Sequence, residues 1–200
     1  MPPLEQKQDR ILQASARLFM AHGFKRVSME EIARSAGVGK GTVYQLFTSK
    51  EDLMLRTVDF VSVQVETAIR GVLSDPGLSP IEKLHRFLET VMRFISQIQS
   101  DALRTLESDF PEACEKVNQA RQRIIFQNLT ALLREGKQAG LYDPALDEIL
   151  AAHMVIGAIN HLVQADVLIT LNCPPSQLFQ SVLSLFLKGA LLPEYRDLAF

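Results

Sequence analysis

Eight consecutive residues, Gly37-Val38-Gly39-Lys40-Gly41-Thr42-Val43-Tyr44, bring three glycines, a lysine and a hydroxyl close together. Two chemistries use such a set. A glycine-rich loop lets backbone N–H groups cradle a nucleotide's phosphates while a lysine reaches their charge. A tight turn that opens a helix can instead present lysine, threonine and glutamine side chains to DNA. Spacing separates the two. A phosphate loop built on Gly39-Lys40 needs a glycine where Arg34 stands and a hydroxyl where Gly41 stands; a dinucleotide fingerprint begun at Gly37 needs a glycine at Thr42. Both loops follow a strand, whereas "SMEEIARSAG" reads as an amphipathic helix.

The elements around the stretch suit the second chemistry. Ile11, Leu12, Ser15, Leu18 and Phe19 share one face of a helix expected from about Asp9 to Ala21, with Gly23 placed for a left-handed stop. Ser28 and Glu31 have the spacing of a capping box, and Val27 and Ile32 that of a hydrophobic staple. The helix they open, about Met29 to Ser35, ends at Gly37, where positive φ is accessible. A third short helix, about Lys40 to Leu46, buries Val43 with Val38 and Phe47, leaving Lys40, Gly41, Thr42, Tyr44 and Gln45 facing outward. Lysine carries charge to a phosphate, threonine offers a hydroxyl and a methyl, and glutamine can pair with adenine. Gly41 leaves room for a close backbone approach. Thr48 and Glu51 have capping-box spacing for a fourth helix, near Ser49 to Leu73.

Beyond the break "SDPGLSP" the period stays helical. Helices are expected at Ile81 to Gln99, Ala102 to Ser108, Glu112 to Gln138, Ala145 to Thr170 and Ser176 to Leu191, about nine in all. No run alternates with period two, so the fold class is all-α: a three-helix head over residues 1–52 and a larger helical bundle over 53–200.

At this point "VSMEEIARSAGVGKGTVYQLFTSKEDLM" resembles the N-terminal domain of TetR-type transcriptional regulators. The likeness runs from about Asp9 to Leu55 and includes His22-Gly23-Phe24, Ile32-Ala33, Lys40-Gly41-Thr42 and Ser49-Lys50-Glu51. It is looser in the body, through "FPE" at Phe110 to Glu112 and "GLYDP" at Gly140 to Pro144. Two positions depart from the family pattern: Gly39 stands where serine is common, and Leu46 where an aromatic residue is usual. The resemblance implies that Lys40, Thr42, Tyr44 and Gln45 contact DNA from the recognition helix, with Gly41 against the backbone. Ser28 and Lys50 become phosphate contacts at helix N-termini, joined by Arg26.

The whole chain carries a formal net charge of −2, but residues up to Arg56 carry +3 and the remainder −5, which fits an anionic polymer at the head alone. Head domains of this type read two half-sites as dimers. The last two helices are apolar around much of their circumference, and the expected seam uses Ile159, Leu162, Val163, Leu178, Val182, Leu185 and Phe186; core packing within one chain is the competing explanation. The middle of the chain mixes apolar and polar residues as a small-molecule pocket does, with His85, Leu88, Met92, Leu103, Glu107, Phe110, Asn118, Phe126 and His153 as candidate lining. A stripe at His153, Asn160 and Gln164 could face a pocket, the seam or solvent.

No nucleophile elbow, zinc-protease motif or cysteine pair points to catalysis or to a cofactor or metal, since Cys114 and Cys173 lie far apart. There is no signal-peptide core or membrane-length apolar run, so a cytoplasmic protein without a membrane partner is expected. The reading is a ligand-responsive, homodimeric repressor on a near-palindromic duplex, released by a small apolar or amphipathic inducer. Its rival is a helical ligand-binding or adaptor protein whose head no longer binds DNA.

Overall fold

The computed structural model describes residues 3–162, 164–193 and 195. Its helices are α1 Leu4–His22, α2 Met29–Ala36, α3 Lys40–Leu46, α4 Lys50–Leu73, α5 Pro80–Ile95, α6 Ser100–Asp109, α7 Pro111–Gln138, α8 Glu148–Leu162, α9 Ala165–Leu171 and α10 Pro175–Ala190. Among the described residues there is no strand, only an isolated bridge between Tyr142 and Leu191. The all-α class holds, while three local expectations are corrected.

The helix expected over Ala145 to Thr170 is two helices. Gln164 takes an extended backbone (φ −67°, ψ 145°) and serves as the N-cap of α9, so the helical hydrogen-bond ladder restarts there. The cap of α4 is one residue later than Thr48: Ser49 Oγ accepts the Asp52 N–H at 3.1 Å, and Asp52 Oδ2 accepts the Thr48 N–H at 3.0 Å. Aspartate is the shorter acid and reaches back where Glu51 points to solvent. Gly23 has positive φ as expected, but with ψ 166° it lies outside the left-handed helical region (φ 80°).

By packing, the chain forms two compact units: Met1–Gln64 with Gln97–Asn118, and Val65–Ser96 with Gln119–Phe200. This division differs from a cut after residue 52, because it adds the first turns of α4, all of α6 and the start of α7 to the head. The first unit is built around Ile11, Phe19, Ile32, Val43, Phe47 and Leu53, all nearly or fully buried. Inserting such side chains removes about 1.5–3 kcal/mol of apolar exposure each, which holds three short helices that are too brief to persist alone. α6 is part of this unit. The Gln99 N–H donates to Met20 O at 2.9 Å, and the Phe24 and Phe110 ring centroids are 5.0 Å apart.

The second unit centres on Phe87, Leu129, Leu132, Leu133, Tyr142, Ala152 and Leu183. α5 begins with a capping box in which Ser79 Oγ accepts the Glu82 N–H and Glu82 accepts the Ser79 N–H at 2.8 Å. α10 packs on α8 and on α5. Tyr142 fills the space left by Gly136, and its burial pushes the phenol above its ordinary pKa.

Candidate nucleic-acid interface

α2 and α3 form the helix-turn-helix. Ser28 Oγ accepts the Glu31 N–H at 3.2 Å, and Glu31 Oε2 accepts the Ser28 N–H at 2.7 Å, closing the capping box. The Ser28 backbone N–H, and then its hydroxyl, hold the Glu31 carboxyl below its usual range. At the other end Gly37 adopts φ 63°, ψ 41°, a left-handed cap. The Val38 N–H reaches Ala33 O at 3.0 Å and the Gly37 N–H reaches Arg34 O at 3.1 Å, a Schellman stop that redirects the chain. Arg10 on α1 donates to Gly37 O at 3.2 Å and braces the turn from outside.

α3 then presents two faces. Val43 is fully buried, as is Phe47 just beyond the helix, and Leu46 is half-buried against the same core, so it packs instead of projecting. Lys40, Gly41, Tyr44 and Gln45 are exposed and Thr42 is half-exposed. Tyr44 keeps 49% of its surface exposed, which is large for an aromatic residue. Gly39 caps α3 without a side-chain hydrogen bond, and a Cβ on Gly41 would meet nothing within 4 Å.

The basic side chains are engaged in different ways. Lys40 is ion-paired with Glu30 of α2 and lies 5.7 Å from the centroid of the Tyr44 ring. Their hydrogen bond lowers the Glu30 pKa and raises that of Lys40. Lys50 turns inward: Nζ sits 4.3 Å over the Phe24 ring and 3.4 Å from Lys25 O, and burial lowers its pKa. Arg26 is exposed and lines an open groove of about 470 Å³ with His22, Glu31 and Arg34. Glu30 and Arg10 were missed from the sequence. Both act through contacts of ten or more residues' separation, which local pattern does not carry.

The other candidate residues are scattered. Within the first unit Glu107 is exposed, Leu103 is half-buried, Phe110 packs on Phe24, and Asn118 Nδ2 lies 3.8 Å from Cys114 Sγ. Within the second, His85 is exposed beside Glu89 at 3.7 Å, Leu88 is core, and Met92 packs at the core's edge. The Phe126 and His153 rings are 4.6 Å apart, and Arg121 donates to Asn160 at 2.8 Å. Thus His153 and Asn160 of the polar stripe face α7. On the expected seam, Ile159 and Leu178 are buried in their own chain, at 3% and 8% exposure, with Ile159 part of the second unit's core. Leu185 is 78% exposed, Leu162, Val182 and Phe186 are half-buried, and Val163 lies outside the described residues. Sequence reading missed Leu150 and Met154, exposed apolar residues one turn apart on α8. Among the described residues no cluster could hold a metal ion, and no helix is long and apolar enough to cross a membrane.

Two family models match this architecture. Residues 11–57 match bacterial regulatory proteins, tetR family, and residues 77–164 match the tetracyclin repressor-like, C-terminal domain. The chain belongs to the TetR family. It is a helix-turn-helix transcriptional regulator, in a family whose members bind DNA and dimerise. It is similar to the HTH-type transcriptional regulator YdgC of Bacillus subtilis (strain 168), 27% identical over 195 residues and 96% of each chain. The fatty acid metabolism regulator protein of the same organism is 25% identical over 191 residues, covering 92% of this chain and 95% of that one. Among solved structures, the fatty acid degradation regulator FadR from Bacillus halodurans superposes with a TM-score of 0.65 at 25% identity, over 92% of this chain and 95% of the other. A TetR regulator from Agrobacterium tumefaciens shares the fold with a TM-score of 0.69 at 20% identity, over 95% and 100% of the two chains.

Proposed function

We propose that this regulator is a homodimeric repressor that reads a near-palindromic duplex and leaves it when an amphipathic ligand binds the body. The observation that carries the DNA side is the two-faced α3: Val43 is fully buried while Lys40, Gly41, Tyr44 and Gln45 stand outside. In the proposed complex Lys40 and Tyr44 meet phosphates, Thr42 and Gln45 meet base edges, and Gly41 admits the sugar-phosphate chain. Ser28, with its hydroxyl already in the capping box, contributes through the N-terminus of α2. Arg26 adds charge at the groove's edge, and Lys50 reaches a phosphate only by leaving the Phe24 ring. Functionally, residues 1–52 are the DNA head and 53–200 serve ligand and dimer.

The proposed seam uses Leu150, Met154 and Leu185, whose apolar surface is open in the single chain, together with the half-buried Leu162, Val182 and Phe186. For the ligand, the second unit offers Phe126 beside His153, and Met92 at the edge of the same core, as apolar and polar candidates. The kinship to a fatty acid metabolism regulator supports an acyl chain with an anionic head as inducer. The test is one titration: bind the protein to a duplex selected from a random pool, then add a chain-length series of fatty acids and acyl thioesters. Release of DNA at a concentration that also raises Tm is the expected result. An acyl ligand that raises Tm and leaves DNA affinity unchanged contradicts the inducer reading.

A further inference from the structure

Lys40, the first residue of α3, is exposed but not surrounded by water alone. Its ammonium is bonded to Glu30 of α2, on a helix that a different turn of chain has brought alongside. Both side chains are more than half exposed, at 56% and 54%, so burial does not force the pair together. The local fields favour it. A lysine in the first turn of α3 faces the positive end of that helix's dipole, and a carboxylate beside it offsets the repulsion. Glu30 also stands at the second position of α2, where an acid is stabilised by the N-terminus. The ammonium also lies 5.7 Å from the centroid of the Tyr44 ring.

The consequence lies in what a phosphate must do to reach Lys40. It arrives as a second anion at a cation that already has one, so it must displace Glu30 or share the ammonium with it. A lysine that changes one anion for another contributes less to affinity, and its binding releases fewer counterions in net terms, than a lysine taken from water. We infer that Glu30 is a positioning residue that occupies Lys40 in the DNA-free protein and thereby lowers affinity for duplexes of any sequence. This rests on the DNA contact proposed above for Lys40. Glu30 acts through Lys40, so its effect must vanish when Lys40 is absent.

The full-length protein, with Glu30→Gln, Lys40→Ala and the double variant, is titrated against two probes over 50–300 mM salt, roughly the range in which counterion release dominates. One probe is the tightest duplex recovered from a random pool; the other is a scrambled duplex of equal length. Thermal melts check that each variant folds. Glu30→Gln is expected to tighten both duplexes by a similar factor of about 2–5, the range of an exposed ion pair. Its slope of log affinity against log salt should steepen by up to about 0.9. In the Lys40→Ala background the same change should give a clearly smaller gain and no added slope. Equal tightening in both backgrounds means that Glu30 merely repels phosphates, and overturns the inference while leaving the Lys40 contact intact. No tightening by Glu30→Gln overturns it as well. If Lys40→Ala alone leaves both affinities and slopes unchanged, the contact itself fails and the inference falls with it.

Discussion

Lys25 Nζ lies 2.8 Å from the Asp109 carboxylate, tying the turn after α1 to the last residue of α6 within the first unit. The Asp109 side chain is only 10% exposed, and its hydrogen bond from Lys25 holds the carboxyl below its ordinary pKa. Asp109→Asn should therefore destabilise by about 1 kcal/mol, since Lys25 itself stays largely in water. That corresponds to a fall in Tm of about 2–4 °C for a chain of this size. The folded pKa is depressed, so the pair contributes fully above the unfolded carboxylate value near pH 4 and is lost as pH falls through the lower folded value. Melts between pH 7 and pH 3 should show the wild type and the variant converging at the acid end.

Gly41→Ala separates folding from DNA binding. A Cβ there meets nothing within 4 Å, and alanine favours a helix by up to about 1 kcal/mol over glycine. Tm should stay level or rise, while affinity for a selected duplex drops about tenfold or more because the methyl holds the sugar-phosphate chain away from α3. An unchanged Kd would remove Gly41 from the interface.

Gly39→Ser tests the departure from the family pattern. The added Cβ would sit 4.0 Å from Thr42 Oγ1, ordinary contact, and the hydroxyl gives α3 the side-chain cap it lacks. Stability should rise by only a few tenths of a kcal/mol, since glycine is itself an adequate N-cap. Binding to the selected duplex should tighten through the new phosphate donor. Weaker binding would show that glycine is required there.

In the second unit, Gly136→Ala should do harm despite the better helix former. Its Cβ would enter the Tyr142 ring, with Cδ2 at 3.1 Å, and that ring is fully enclosed. Overpacking costs about 1–3 kcal/mol against a helix gain of about 1 kcal/mol. A lowered Tm is expected, and Gly136→Ala combined with Tyr142→Phe should not restore it, because the clash is with the ring and not the hydroxyl.

The head was legible because its signals are local. Ser28 and Glu31 are three residues apart, Gly37 needs only its own φ, and Val43 and Phe47 repeat at one helical turn. These fix which face of α3 is left outside. The contacts that set the chemistry of that face were not legible. Glu30 meets Lys40 across a turn, and Lys50 folds back on Phe24, both decided by tertiary approach. The body was read correctly as helical, yet its break before Gln164 carries no glycine or proline to announce it. Which residues lie open for a seam was not legible for a similar reason. Apolar periodicity marks Leu178 and Leu185 alike, and only packing shows that one is covered by its own chain and the other is open.

Selecting bound fragments from a random duplex pool, with the wild type and Gln45→Ala in parallel, tests the central claim most directly. The exposed face of α3 should lead the wild type to enrich a near-palindrome whose half-sites lie about 34–36 Å apart or at a multiple of that. Gln45→Ala should enrich the same spacing with a changed base at one position in each half-site. No enrichment by the wild type, or an identical consensus from both proteins, would contradict the account.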